Sequence, residues 1–370
     1  MPSSETEQQA RRFVEICNAC RYCEGYCAVF PAIELRRQFT RGDLSYLANL
    51  CHDCRGCYYS CQYAPPHEFA LNLPRVLAEL RLETYERYAW PRPLAALFRR
   101  NGLAVSILTF LSIAFFWWLA KPEASPAIAP AGPGGFYAVV PEGLMVAITG
   151  IAFLFALLSL AMGLANFWSD TASLPAADAP SFLAAFADVL TLRNLGGAGY
   201  GCNNRDESFS QLRRYFHHAL FYGFLLCFAS TCAAAVYEHI LGRFSPYPVL
   251  SVPVLLGVAG GFAMLIGAAG LLQIKLAADP APAAKALLDV DYSFLMLLFV
   301  AAATGLILLA LRDTAAMSAL LAIHLGVIVS LFLILPYCKF VHGIYRAAAL
   351  LRSAAERPRR SETSAESVGA

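Results

Sequence analysis

"HLGVIVSLFLILPYCKFVHGIYR", residues 324–346, carries no Asp, Glu, Lys or Arg before Lys339, and it has a histidine at 324 and another at 342. A helix this apolar belongs in hydrocarbon, because ~20 residues at 1.5 Å each cross the core of a bilayer. The full run extends over roughly 316–341, and five more stretches match it at 103–120, 143–167, 215–237, 249–274 and 292–311. Composition agrees, since 58% of the residues are hydrophobic and only 15% are charged, which is far from the soluble norm. The competing explanation is a buried helical core in a large soluble protein, but these runs are too long and too free of charge for that. A net charge of +2 with no basic block of interleaved aromatics argues against a nucleic-acid partner.

The expected fold is therefore all-α, and the charges between the stretches orient it. Lys and Arg gather before the first stretch (Arg81, Arg87, Arg92, Arg99, Arg100), in the second connection (Arg193, Arg205, Arg213, Arg214), in the fourth (Lys275, Lys285) and from Lys339 onward. The alternate connections hold only Lys121, Arg243 and Arg312. Positive charge stays on the cytoplasmic side, so both termini are expected in the cytoplasm and the protein in the bacterial inner membrane. Three segments follow: a helical cytoplasmic domain over 1–95, ended by Pro91 and Pro93; a six-span bundle over 96–345; and a polar tail over 346–370, expected to be disordered. The glycine-rich connection "LTLRNLGGAGYGCNNRDESFSQLRRY", 190–215, reads equally well as a dock for the first domain and as a solvated linker.

Eight of the twelve cysteines stand in two matched runs, "CNACRYCEGYC" at 17–27 and "CHDCRGCYYSC" at 51–61. The N-terminus "MPSSETEQQARRF" lacks an apolar export region, so the thiols are expected to face a reducing compartment, where such spacing means metal rather than disulfides. Each run reads C-x2-C-x2-C-x3-C. Three thiolates wrap one cubane while the fourth points to the other site. That pattern assigns Cys17, Cys20, Cys23 and Cys61 to one [4Fe–4S] cluster, and Cys51, Cys54, Cys57 and Cys27 to a second, in a ferredoxin-like domain. Structural zinc prefers paired C-x2-C units separated by a longer loop. His52 and His67 beside the runs are expected to be packing residues.

Five of the seven histidines sit at span positions: His217, His218 and His239 in the third, His324 and His342 in the sixth. Ionisable groups there are functional candidates. If the sixth span is one helix, the 18 residues from His324 to His342 make five turns and place both on one face about 27 Å apart. The antiparallel third span then offers His217 or His218 to His342 near the cytoplasm and His239 to His324 near the outside. Facing histidines of this kind are what haem b requires. The inner pair is read as His218/His342 with His217 as the alternative, and His239/His324 as a possible outer pair, giving one haem or two. Asp289, Asp291 and Lys339 mark the membrane edge, where interfacial anchoring is the simpler reading and quinone protonation the functional one. Glycines of "GVAGGFAMLIGAAG" in the fourth span are expected to serve helix packing. No P-loop, dinucleotide fingerprint preceded by a strand, or G-x-S-x-G motif is present, so no substrate dehydrogenase site is expected within the chain.

The two cysteine runs together with "RRYFHHALFYGFLLCFAS" and "HLGVIVSLFLILPYCKFVHGIYR" resemble the tricarballylate/citrate utilization protein B family over nearly the full length. "LPYCKFVH" also looks like the sixth-span signature of membrane cytochromes b of the nitrate-reductase gamma and heterodisulfide-reductase class. The resemblance implies a partner role: an electron acceptor for a separate FAD-dependent tricarballylate dehydrogenase, passing electrons through two [4Fe–4S] clusters and haem b to the quinone pool of the lipid bilayer. A related domain is fused to a flavoprotein in some cobalamin-synthesis enzymes, so the resemblance fixes the wiring better than the upstream substrate. The alternatives are service to a different flavoprotein, a heterodisulfide-type reductase, and a membrane-anchored cluster sensor without haem.

Overall fold

The computed structural model describes residues 3–120, 135–171, 178–197 and 200–368, and for 358–368 the backbone alone. The described chain is helical with no β-strand, and its only extended pairing is an isolated bridge between Cys202 and Ser210. Five helices build the N-terminal domain: α1 (Glu5–Cys20), α2 (Val29–Glu34), α3 (Arg41–Leu50), α4 (Gly56–Tyr59) and α5 (Leu73–Tyr88). Their starts are capped by side chains: Ser4 accepts from Glu7 N at α1, Thr40 and Asp43 form a reciprocal capping box at α3, and Asn72 accepts from Arg75 N at α5. Phe13, Phe30, Ile33, Leu47, Leu50 and Leu77 fill the space between them.

Next come α6 (Asn101–Ala120), led in by a 3-10 stretch from Arg92, the short α7 (Gly135–Val139), α8 (Glu142–Thr171), α9 (Ala179–Leu190), α10 (Leu212–His239), α11 (Val252–Leu276), α12 (Leu288–Leu311), α13 (Met317–Ile334) and α14 (Val341–Val368). Six of these are long and apolar enough to cross a membrane, one for each expected stretch. α10 and α11 pack backbone to backbone through glycine. A Cβ on Gly223 would meet Met264 N at 2.8 Å, and one on Gly260 would meet Cys227 N at 2.8 Å. Helix packing is thus the use of the fourth-span glycines.

Three expectations need correction. The sixth span is not one helix to His342: α13 stops at Ile334, a 3-10 turn covers Leu335–Tyr337, Cys338 is extended, and α14 restarts at Val341. Pro336 has no N–H and breaks the helical ladder, while the buried turn is held by Asn101 Nδ2 donating to the Tyr337 carbonyl at 2.6 Å and Tyr337 O–H donating to the Trp90 carbonyl at 2.8 Å. His342 therefore stands on a different helix from His324. Second, the connection after α8 contains α9, an apolar helix too short to span, capped by Asp178, with Phe182, Leu183 and Phe186 exposed on one side and Ala185 and Asp188 buried on the other. That division suits a helix lying along the membrane surface.

The third correction concerns the tail. Residues 346–368, expected to be disordered, continue α14, and Ala349, Leu350, Arg352, Ala354 and Glu356 are buried. Two of the charges that make the tail look solvated, Arg352 and Glu356, are consumed in one network with the N-terminal domain. Arg36 reaches Asp43 at 2.7 Å and Glu356 at 2.6 Å, and Arg352 reaches Asp43 at 3.0 Å and Glu356 at 3.2 Å. Tyr46 lies among them, with the Arg352 guanidinium 4.2 Å from its ring centre and its hydroxyl donating to Glu356 at 3.0 Å. Removing one member strands two buried cations, a loss of about 3–5 kcal/mol. Glu356→Ala is expected to destabilise the detergent-solubilised protein by that amount in denaturant titration; a midpoint within error of the unmodified protein would show that the network does not hold α14 down.

Candidate redox centre

α1 ends because Arg21 adopts φ 56°, and Gly25 follows at φ 86°. These left-handed residues turn the backbone around the first run. Asp53 (φ 53°) and Arg55 (φ 67°) do the same in the second. Cys17, Cys20, Cys23 and Cys61 line one cavity, which Cys57 of the second run also borders and which Phe30, Leu71 and Leu73 close. Burial, then the neighbouring thiols of Cys23, Cys61 and Cys20, push the Cys17 thiol up to about 12. Cys27 lies in the other set: burial first, then Cys54 and Cys51, raise it well above the ordinary thiol value. Cys54 is pushed up to about 12 by burial and by Cys202 and Cys51, and the half-buried Cys57 is raised by burial and by Cys54, Cys27 and Cys51. The fourth cysteine of each run thus sits with the first three of the other. Thiolate is the form that binds metal, and a donor set of four crowded thiols fits an iron–sulfur cluster in each group.

The glycine-rich connection docks on the second run. Asn203 N donates to the Cys54 carbonyl at 2.9 Å, and Arg55 Nη1 donates to the carbonyls of Asn204 at 3.3 Å and Asp279 at 3.1 Å. Tyr59 O–H donates to Asp279 Oδ2 at 2.6 Å. Cys202, a ninth cysteine at this site, is fully buried with its thiol donating to the Leu195 carbonyl at 3.0 Å. Nothing in the spacing of a lone cysteine announced it. His52 and His67 pack: His52 Nδ1 lies 2.8 Å from the Leu50 carbonyl, and His67 stands edge-on to Tyr63 and Phe69.

Among the span histidines the structure pairs His217, not His218, with His342. Their ring centres are 6.1 Å apart and the planes cross at 75°. Two imidazoles bonded to one metal from opposite sides at about 2 Å each bring their ring centres to about 6 Å. His342 Nδ1 is bonded to the Lys339 carbonyl, which orients the ring and leaves Nε2 free, as ligand histidines usually have it. His217 Nδ1 is buried without a hydrogen-bond partner. One residue on, a helix has turned by 100°, so His218 faces away, its Nε2 3.1 Å from the Thr191 carbonyl. The residues present therefore fit a haem axial pair, with His217 in the place expected for His218.

His239 and His324 are not paired in this way. His239 is exposed at the end of α10 and shares a group with Glu142 and Glu238, whose ligand atoms all lie within 4.8 Å of one another. His324 Nδ1 is 3.0 Å from Thr304 Oγ1 on α12. At the other face Asp289 Oδ2 accepts from Gly102 N at 3.0 Å, while Asp291 is buried between Lys275 Nζ at 2.5 Å and Lys339 Nζ at 2.8 Å. A cavity of about 600 Å³ opens between α11 and α12, lined by Leu272, Gln273, Leu295, Met296, Phe299 and Arg205.

Cys20→Ser is expected to remove one iron–sulfur signal in low-temperature EPR and Cys54→Ser the other; retention of both signals in either variant would refute the grouping. His217→Ala is expected to abolish a low-spin haem band that His218→Ala leaves intact, and the reverse pattern in the absorption spectrum would return the ligand role to His218.

Two family descriptions cover the chain: the Citrate utilization protein B Fer4-like domain over residues 10–87 and Citrate utilization protein B over residues 93–363. Citrate utilization protein B of Escherichia coli is 45% identical over 358 residues, which is 96% of this chain and 94% of that protein. No solved structure matches. With eight cysteines in a Fer4-like domain ahead of six membrane-length helices, the chain is a multi-pass membrane protein with an iron–sulfur electron-transfer role and belongs to the Citrate utilization protein B family.

Proposed function

We propose that the protein reoxidises the reduced flavin of a separate FAD-dependent dehydrogenase, with tricarballylate as that enzyme's substrate, and delivers the electrons to membrane quinone. The family membership and the six membrane-length helices support this reading. The observation that carries it is the continuity between the two centres: the backbone of the second cysteine run is hydrogen-bonded directly by Arg213 of α10 and Arg346 of α14, the helices that bear His217 and His342.

Each part of the chain has a place in that path. Cys17, Cys20, Cys23 and Cys61 hold the entry cluster, whose rim residues Arg21, Tyr22 and Glu24 are exposed and available to a docked flavoprotein. Cys27, Cys51, Cys54 and Cys57 hold the second cluster, against the membrane domain. His217 and His342 hold haem b. These groups, when bound, supply one-electron redox chemistry between partners that trade electrons in pairs. The chain's own residues fix the spacing, exclude water through burial and, at Asp291 between Lys275 and Lys339, balance buried charge at the cytoplasmic membrane edge. In this reading both termini are cytoplasmic and the membrane is the bacterial inner membrane.

Anaerobic proteoliposomes of the protein with a quinone analogue are expected to accelerate reoxidation of a reduced tricarballylate dehydrogenase, followed by flavin absorbance. Equal rates with and without the protein would overturn the proposal. A protein that retains its iron–sulfur signals but contains no haem would instead leave an anchored cluster protein.

A further inference from the structure

Each histidine of the inner pair has an arginine one helical turn toward the cysteine domain. Arg213 precedes His217 by four residues on α10, and Arg346 follows His342 by four on α14. Residues four apart stand on the same helix face, about 6 Å apart along the axis. Both side chains converge on one strip of backbone. Arg213 donates to the carbonyls of His52 at 3.1 Å and Asp53 at 2.5 Å, and Arg346 donates to those of Asn49 at 3.3 Å and Cys51 at 2.9 Å. Arg81, 3% exposed, comes from α5 and donates to the Ala48 carbonyl at 2.7 Å and to Cys51 at 2.5 Å.

Three guanidiniums are thus gathered between the second thiol group and the histidine pair, with no carboxylate in ion-pair contact, although Asp53 and Asp291 act on Arg213 from farther off. The acids nearby are engaged elsewhere: Asp53 pairs with Arg55, and Asp291 with Lys275 and Lys339. Among the described residues no carboxylate makes an ion pair with Arg81, Arg213 or Arg346. The contrast with Arg36 and Arg352 is direct, since those buried arginines have both Asp43 and Glu356. Carbonyl oxygens satisfy N–H donors but leave the net charge unbalanced, and a buried charge persists only against an opposite one. A guanidinium has five N–H donors, of which the carbonyls take two on Arg213, where the Cys202 sulfur takes another, and two on Arg346, so donors remain for a second partner.

We infer that Arg213 and Arg346 bind the two carboxylate side chains of the haem held by His217 and His342, with Arg81 adding a third positive charge at the same edge. The inference rests on the haem assignment of the proposed function. It gives the arginines a double role: they fix the orientation of the macrocycle between α10 and α14, and through the carbonyls of residues 48–53 they join its carboxylate edge to the second cluster. Positive charge at that edge favours the reduced form, so the arginines raise the haem potential.

The test uses the full-length protein in detergent, with Arg213→Gln, Arg346→Gln and Arg346→Lys. Haem per polypeptide is read by pyridine haemochrome, haem midpoint by spectroelectrochemical titration, and both clusters by EPR. The glutamine variants are expected to lose haem, or to shift its reduction equilibrium at least tenfold toward the oxidised form, about 59 mV for one electron, while both cluster signals persist. The lysine variant is expected to recover most of the midpoint. Glutamine variants with unaltered haem content and midpoint overturn the inference and leave the haem assignment standing. Loss of cluster signals along with haem also overturns it, because the arginines then serve only to hold the 48–53 backbone. An unmodified protein without haem overturns both.

Discussion

Charge taken out of water has to be balanced where it is buried, and this protein meets that demand along the border between its cysteine domain and its spans. At the far side of the border Arg36, Asp43, Arg352 and Glu356 neutralise one another around Tyr46 and bind the C-terminal helix to α3. At the membrane edge Asp291 neutralises Lys275 and Lys339. Between these lie the arginines at residues 48–53, which have carbonyls but no carboxylates. Two groups of four thiols share the same domain. The fold is complete in packing and incomplete in charge, and the shortfall lies between the second cysteine run and the His217/His342 pair.

The geometry of the centre follows from one interruption. Pro336 ends α13, so the chain changes direction before Lys339 and sends α14 out of the membrane layer and along the cysteine domain. His342 is thereby carried on the helix that also supplies Arg346 to the Cys51 carbonyl and Arg352 and Glu356 to the buried network. α14 touches the histidine pair, the second cysteine run and the core of the N-terminal domain in succession. A straight sixth helix to residue 342 would have separated these functions.

Much of the arrangement is legible in the residues. Six runs of hydrocarbon length became six helices of that length, because nothing except hydrocarbon tolerates such sequences. The cysteine spacing separates three thiols from the fourth, and in the fold Cys61 stands beside Cys17 and Cys23 while Cys27 stands beside Cys51 and Cys54. The choice between His217 and His218 was not legible. Adjacent residues differ by 100° around a helix, and which direction faces α14 depends on how α10 rolls against α11, which is governed by glycines such as Gly223 and Gly260. The surroundings of His239 and His324 were hidden for the same kind of reason, since helical spacing does not tell which neighbours, Glu142 and Glu238 or Thr304, each ring meets.

By itself the sequence determined what is local: the helical class, the apolar spans, the metal-binding character of the thiols and the presence of histidine at membrane depth, all of which follow from composition and from spacing along one chain. Tertiary structure alone decided what depends on two segments meeting. It made the polar tail a packed helix by giving Arg352 and Glu356 partners 300 residues away, turned the glycine-rich connection into a clasp on Cys54, selected His217, and brought Arg81, Arg213 and Arg346 together. Charges that read as solvated in a linear chain are stabilised in burial only when their partners arrive from elsewhere, and spacing along the chain carries no record of that arrival.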